Sequence, residues 1–139
     1  MLMQGILNAT DVRREWGKFI DTVVHEKPGV VKRNRDCFLS LSINHAMALL
    51  KDRTFKARFV TEGDGSVTAT LDNFDLVVNE KDETSAKKAL AEELVEYANE
   101  YFKDFQLYYN SLNRQPHFPY VLKVLIQNDI SGVVSLIDA

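Results

Sequence analysis

Apolar residues recur at helical spacing near the start of the chain, as Val12, Trp16, Phe19, Ile20, Val23 and Val24. This is the repeat of a helix with one buried face. Asn8 stands before the run and Asp11 three residues further on, the pattern of an N-cap with its capping-box partner. Pro28-Gly29 closes the helix. The period then shortens to that of strands, over residues 30–33 and 37–41, with a turn over 34–36. Ser42 is placed to cap a short helix carrying Ile43, Ala46, Met47, Leu49 and Leu50. The first fifty-odd residues therefore predict helix, hairpin, helix.

Residues 51–58 are polar and basic and read as a joint. Beyond them, 57–61, 67–71 and 74–78 predict three strands, the first two joined at Gly63-Asp64-Gly65. Thr84 is placed to cap a long helix to about Asp104. Its apolar stripe is Ala86, Leu90, Leu94, Tyr97, Tyr101 and Phe105, and its other side carries Glu92, Glu93, Glu96, Glu100 and Asp104. Residues 110–119 read as a loop, and 120–126 and 130–137 as short closing helices. The expected class is α+β. A helix-hairpin-helix lobe (1–55) is followed by a small three-stranded antiparallel sheet with a long helix and C-terminal helices (56–139).

Composition narrows the function. With 139 residues and 45% hydrophobic residues, the chain can build a packed core. No apolar run reaches bilayer length, and the first ten residues lack the make-up of an export signal, so the expected location is the cytoplasm, with no membrane partner. The net charge of -3 conceals an asymmetry. Residues 1–58 hold 11 Lys/Arg against 6 Asp/Glu, and residues 59–139 hold 6 against 14. A basic half suits phosphates and an acidic half a basic protein; ordinary variation in surface charge is the plainer reading.

Catalytic chemistry finds little support. His25, His45 and His117 do not share metal-ligand spacing, and Cys37 has no companion thiol. On its strand Cys37 is expected to be buried. His117, between two prolines, reads as a loop residue. Phosphate loops, dinucleotide fingerprints and nucleophile elbows are missing from the sequence. Asp64, Asp72 and Asp75 suggest a metal-dependent nuclease cluster, but turn-forming aspartates account for them more simply. Trp16, Tyr97, Tyr101 and Phe102 are expected in the core rather than as a stacking platform. No enzyme activity, catalytic residue, metal or cofactor is expected.

Three runs in order carry a family resemblance. Leu7-Asn8-Ala9-Thr10-Asp11-Val12-Arg13 resembles the capped first helix of the prevent-host-death (Phd/YefM) antitoxins. Val30-Val31-Lys32-Arg33-Asn34 is similar to that family's strand and basic turn, and Phe38-Leu39-Ser40-Leu41-Ser42-Ile43 to its second strand and helix start. The match covers residues 5–52. It departs at Asp36, where lysine is common, at Cys37-Phe38, where Pro-Val is usual, and at Ala46, where tyrosine is frequent. The resemblance implies a homodimer or higher homo-oligomer that shares a sheet and presents paired helices and basic turns to operator DNA. The DNA-contacting side chains would be Arg13, Arg14, Lys18, Lys32, Arg33 and Arg35. On spacing alone, a solvated basic surface explains those residues better.

Residues 57–103 resemble, more faintly, the HicB-like antitoxin lobe, through Gly63-Asp64-Gly65-Ser66 between two strands, a third strand and the helix after Thr84. Such lobes bind a toxin. Glu92, Glu96 and Glu100, repeating every four residues, are the expected contacts for a cognate basic toxin, although such a stripe on its own is usually a solvated face. The expected function is a type II antitoxin that represses its own operon and neutralises a toxin. The alternative is a protein-binding module with the dimer fold and no DNA contact.

Overall fold

A computed structural model describes residues 1–138. The chain is mixed α+β and forms two compact units, Met1–Leu49 and Leu50–Ala139. The division falls ahead of residues 51–58, which belong wholly to the second unit. The physical reason is Phe55, which sits in that unit's core.

In the first unit, β1 (Leu7–Asn8) leads into α1 (Ala9–Arg14) and α2 (Trp16–His25). Asn8 caps α1 as expected, its side chain accepting from Thr10 N–H at 2.8 Å. The single helix expected here is broken at Glu15, whose ψ of 46° leaves the helical region, although Glu15 N–H still reaches Asp11 O at 2.9 Å. Then follow β2 (Gly29–Arg33), β3 (Asp36–Ser40) and α3 (Ile43–Leu49), the last capped by Ser42 Oγ accepting from His45 N–H. Asn34 takes the left-handed φ of 55° in the two-residue β2–β3 turn, a conformation asparagine tolerates. The sheet order is β1-β2-β3, β1 running parallel to β2 and β3 antiparallel to it.

The small core of this unit is Val12, Phe19, Val23 and Val31. Cys37 is exposed, against the burial expected for it, because it pairs with Lys32 and shares that residue's face of the sheet, away from the Val12, Phe19, Val23 and Val31 cluster. Trp16 is 56% exposed and Phe38 58%, so Trp16 is not a core residue within this chain.

In the second unit, β4 (Phe55–Lys56) pairs in parallel with β8 (Ile137–Asp138), a contact no local pattern announced. β5 (Arg58–Thr61), β6 (Val67–Leu71) and β7 (Leu76–Glu80) form an antiparallel meander with the expected turn at Gly63-Asp64-Gly65. The third strand starts two residues later than predicted, because Asp72–Phe74 makes a 3₁₀ turn that drives Phe74 into the core. Helix α4 (Glu83–Lys103) starts at Asp82, whose carboxylate accepts from Ser85 N–H at 2.7 Å, and not at Thr84. Ala86, Leu90, Leu94, Tyr97 and Tyr101 are buried against the sheet and against α6 (Phe118–Leu125) and α7 (Ile130–Val134). The expected loop at 110–119 is preceded by α5 (Phe105–Tyr109) and contains a 3₁₀ turn, Gln115–His117. The last predicted helix is cut short, since Ile137 leaves it to pair with Phe55. Phe102 is exposed on α4, outside the core expected for it.

Candidate functional site

The first candidate surface is at one end of the first unit's sheet. Register fixes it. β1 runs parallel to β2 and pairs Asn8 with Lys32, so the residue that caps α1 sits beside the end of β2, where the basic turn begins. Asn8, Lys32 and Asn34 line one shallow recess there. Two of the predicted parts, the start of the first helix and the basic turn, are thereby brought to one end of the sheet by a two-residue strand.

The six predicted cations are all exposed, but they do not form one cluster. Arg13 and Arg14 occupy the last turn of the short α1, not the opening turns of a long helix. Arg14 donates to Asp11 at 2.8 Å, and Arg33 lies 3.6 Å from Asp36. Both pairs are solvent-exposed and hold their cations only weakly. Side chains alternate along β2: Val31 faces the helices with its core partners, Arg33 shares that face, and Lys32 points to the other. Lys18 lines a separate cleft together with Asp11, Glu15 and Lys27, so the two carboxylates offset part of its field. The Asn8 side chain accepts from one of the free amides at the start of α1, the N–H of Thr10.

Arg13 borders an apolar groove floored by Val12, Trp16, Val31 and Phe38. Trp16, Ile20 and Val24 continue it along α2 at spacings of four.

The second candidate surface is the outward side of α4. Glu92, Glu96 and Glu100 are exposed there, opposite the buried Leu94, Ala98 and Tyr101. Two of the three aspartates considered for metal chemistry are otherwise engaged. Asp64 accepts from Ser66, and Asp72 receives a bidentate pair from Arg58 at 2.8 and 3.0 Å. These bonds hold both carboxyls below their ordinary pKa. Among the described residues, no group of three or more His, Cys, Asp or Glu side chains is placed to hold a metal ion.

His117, read as a loop residue, is a junction. Its Nε2–H donates to Asn73 O at 2.8 Å, which leaves Nδ1 to accept from the Tyr97 hydroxyl at 2.6 Å. Phe74 lies against the ring, with centroids 4.2 Å apart. Burial pushes the His117 pKa down, and the Tyr97 pKa up. The other residue sequence reasoning missed is Lys123, only 4% exposed, whose ammonium donates to Lys51 O and Arg53 O at 3.2 and 2.9 Å. A lone lysine inside the apolar run of α6 was its visible sign.

Comparison with known proteins decides what kind of molecule carries these surfaces. Residues 3–139 match the PHD-like family model, described as the antitoxin of RelE/RelB toxin–antitoxin systems. The chain belongs to this antitoxin family. No curated protein matches the antitoxin's sequence. Among solved structures, it is similar to a protein from Syntrophomonas wolfei subsp. wolfei, described as the antitoxin part of a proposed toxin/antitoxin system. The two chains are 44% identical, the match covers 99% of this antitoxin and 98% of the other chain, and the TM-score is 0.91. Membership of the family implies a toxin partner. Among the described residues, no helix of the antitoxin is long and apolar enough to cross a membrane.

Proposed function

We propose that this antitoxin works in the cytoplasm as a Phd/YefM-type dimer that represses its own operon through the first unit and neutralises a basic toxin through the second. The observation that carries the DNA reading is the Asn8–Lys32 register, which sets the capped start of α1 beside the Arg33–Arg35 turn. Arg13 and Arg14 follow within that same short helix. A two-fold axis would double this basic end and match it to a palindromic operator. Dimerisation is supported by the unit's unfinished core. Eleven of the sixteen exposed large hydrophobic residues lie in Met1–Leu49, too many for a unit that buries only five hydrophobic side chains. The apolar strip of Trp16, Ile20, Val24 and Phe38 is the natural seam, and Arg13 stands on its border.

For the toxin, Glu92, Glu96 and Glu100 offer one acidic helix face on a well-packed scaffold, complementary to a cationic RNA-binding surface. A folded, HicB-like lobe would then do what a C-terminal segment that orders on binding does in many antitoxins.

The test is fluorescence anisotropy of the purified protein on DNA from upstream of its gene, with an unrelated duplex as control, at several salt concentrations. Tight binding to the upstream duplex, weakening steeply with salt, is expected. Absent or equal binding to both duplexes would move the reading to a toxin-binding module with no operator contact of its own.

A further inference from the structure

The first unit alone is barely basic, with 7 Lys/Arg against 5 Asp/Glu. Most of the basic excess of residues 1–58 resides in 51–58, which the fold assigns to the second unit. That segment holds four of the second unit's ten basic residues and one of its fifteen acidic ones. It is a basic island on an acidic unit.

The fold gathers the island around one open groove of about 540 Å³. Lys56 lines it directly. Tyr120 lines it too, and the Arg53 guanidinium sits 5.6 Å from that ring's centroid. Asp72 lies at its edge with Arg58 bound across both carboxylate oxygens. Asn73 and Asn113 also line the groove. Beneath, Lys123 fixes the backbone carbonyls of Lys51 and Arg53 from inside the core. A buried ammonium costs desolvation, and burial pushes the Lys123 pKa down, with Asp52 opposing.

We infer that this groove is a second nucleic-acid contact, which takes the phosphate backbone of duplex DNA. Exposed cations grouped around one groove, with polar residues lining it, suit phosphate oxygens, and such contacts position a protein without reading sequence. The inference rests on the proposed operator binding and extends it to the second unit.

The full-length protein is measured on the upstream duplex and on an unrelated duplex of the same length, across salt concentrations. Three forms are compared: unsubstituted, Arg13→Gln with Arg14→Gln, and Arg53→Gln with Lys56→Gln. Arg58 is left in place because its pair with Asp72 joins β5 to the end of β6. The Arg53/Lys56 variant is expected to bind about ten-fold more weakly and with a salt slope shallower by about two, one for each phosphate no longer neutralised. The loss of affinity should be the same on both duplexes. A charge-keeping variant, Arg53→Lys with Lys56→Arg, should restore most of the affinity, which a folding defect would not allow. An unchanged affinity and slope in the Arg53/Lys56 variant, alongside weakened binding in the Arg13/Arg14 variant, would overturn this inference alone. Failure of the unsubstituted protein to bind either duplex would overturn the operator reading and this inference with it.

Discussion

The second unit closes its core with Tyr101, Leu90, Leu94, Phe55 and Ile137, drawn from a helix, two strands and both ends of the unit. The first has a four-residue cluster under one side of a three-stranded sheet, and leaves Trp16, Phe38, Leu39 and Ile43 more than half exposed. The contrast is not one of composition, since both stretches carry ample apolar residues. It lies in where those residues can go. In the second unit α4, α6 and α7 pack face to face, so each apolar stripe meets another. In the first, α2 is apolar over a wider arc than its own sheet covers. Phe19 and Val23 are buried with Val31 of the sheet, while Trp16, Ile20 and Val24 stay exposed. A unit that packs its own core can be a scaffold for surface chemistry; one that leaves its apolar face open suits the proposed association.

Substitutions can break that comparison. The largest expected effect is on the self-sufficient core. Leu94→Ala should lower the stability of the second unit by roughly 3 kcal/mol, read by chemical denaturation, because it opens a cavity beneath α4. Next comes the seam. Phe38→Asp should raise the dimer dissociation constant at least about thirty-fold by sedimentation equilibrium, as expected for an interface anchor. If Phe38 is merely a surface residue, the mass distribution will not move. For DNA, Arg13→Gln with Arg14→Gln should weaken upstream binding about ten-fold and reduce the salt slope by about two. Lys18→Gln should do much less, since Asp11 and Glu15 share its cleft. Equal effects would show that the cations act as one diffuse field.

The smallest effect is a pH dependence confined to the second unit. Folded His117 has its pKa lowered by burial, opposed by its bond to Asn73, with Arg114 lowering and Asp75 raising it. The unfolded chain therefore takes up the proton first, near the ordinary value of 6.5. Stability contributed by the neutral ring is full above that pH and is lost as the pH falls from it towards the folded value. Thermal melts of His117→Asn should show a flatter pH profile below neutrality than the unsubstituted protein. Parallel profiles would mean that the Tyr97–His117–Asn73 junction is not what titrates.

Much of this was legible in the chain because the signals are local. Asn8, Ser42 and the Gly63-Asp64-Gly65 turn act through neighbours a few residues away. The α4 stripe follows from helical period alone. What escaped was long-range or context-dependent. β1 is only two residues, too short to show a period, yet it sets the candidate DNA surface. The Phe55–Ile137 pairing joins residues far apart in sequence and turns a supposed joint into part of a core. Cys37 looked buried because it shares a strand with Phe38 and Leu39, but those two are themselves exposed, and Cys37 pairs with Lys32. Trp16 looked like core because its spacing is right, and spacing cannot tell a face that meets its own sheet from one that awaits another molecule. Of the candidate site, the register that sets Asn8 beside Lys32 was not legible, nor was the alternation along β2 that puts Lys32 on the face opposite Arg33.

The most direct measurement is the stoichiometry of the upstream-DNA complex, by sedimentation velocity of the full-length protein with a labelled duplex. Two chains per duplex, or a multiple of two, is predicted, because on the proposed reading a second copy would complete the first unit and the same axis would double the basic end. One chain per duplex, with the unbound protein monomeric at the same concentration, would contradict the account.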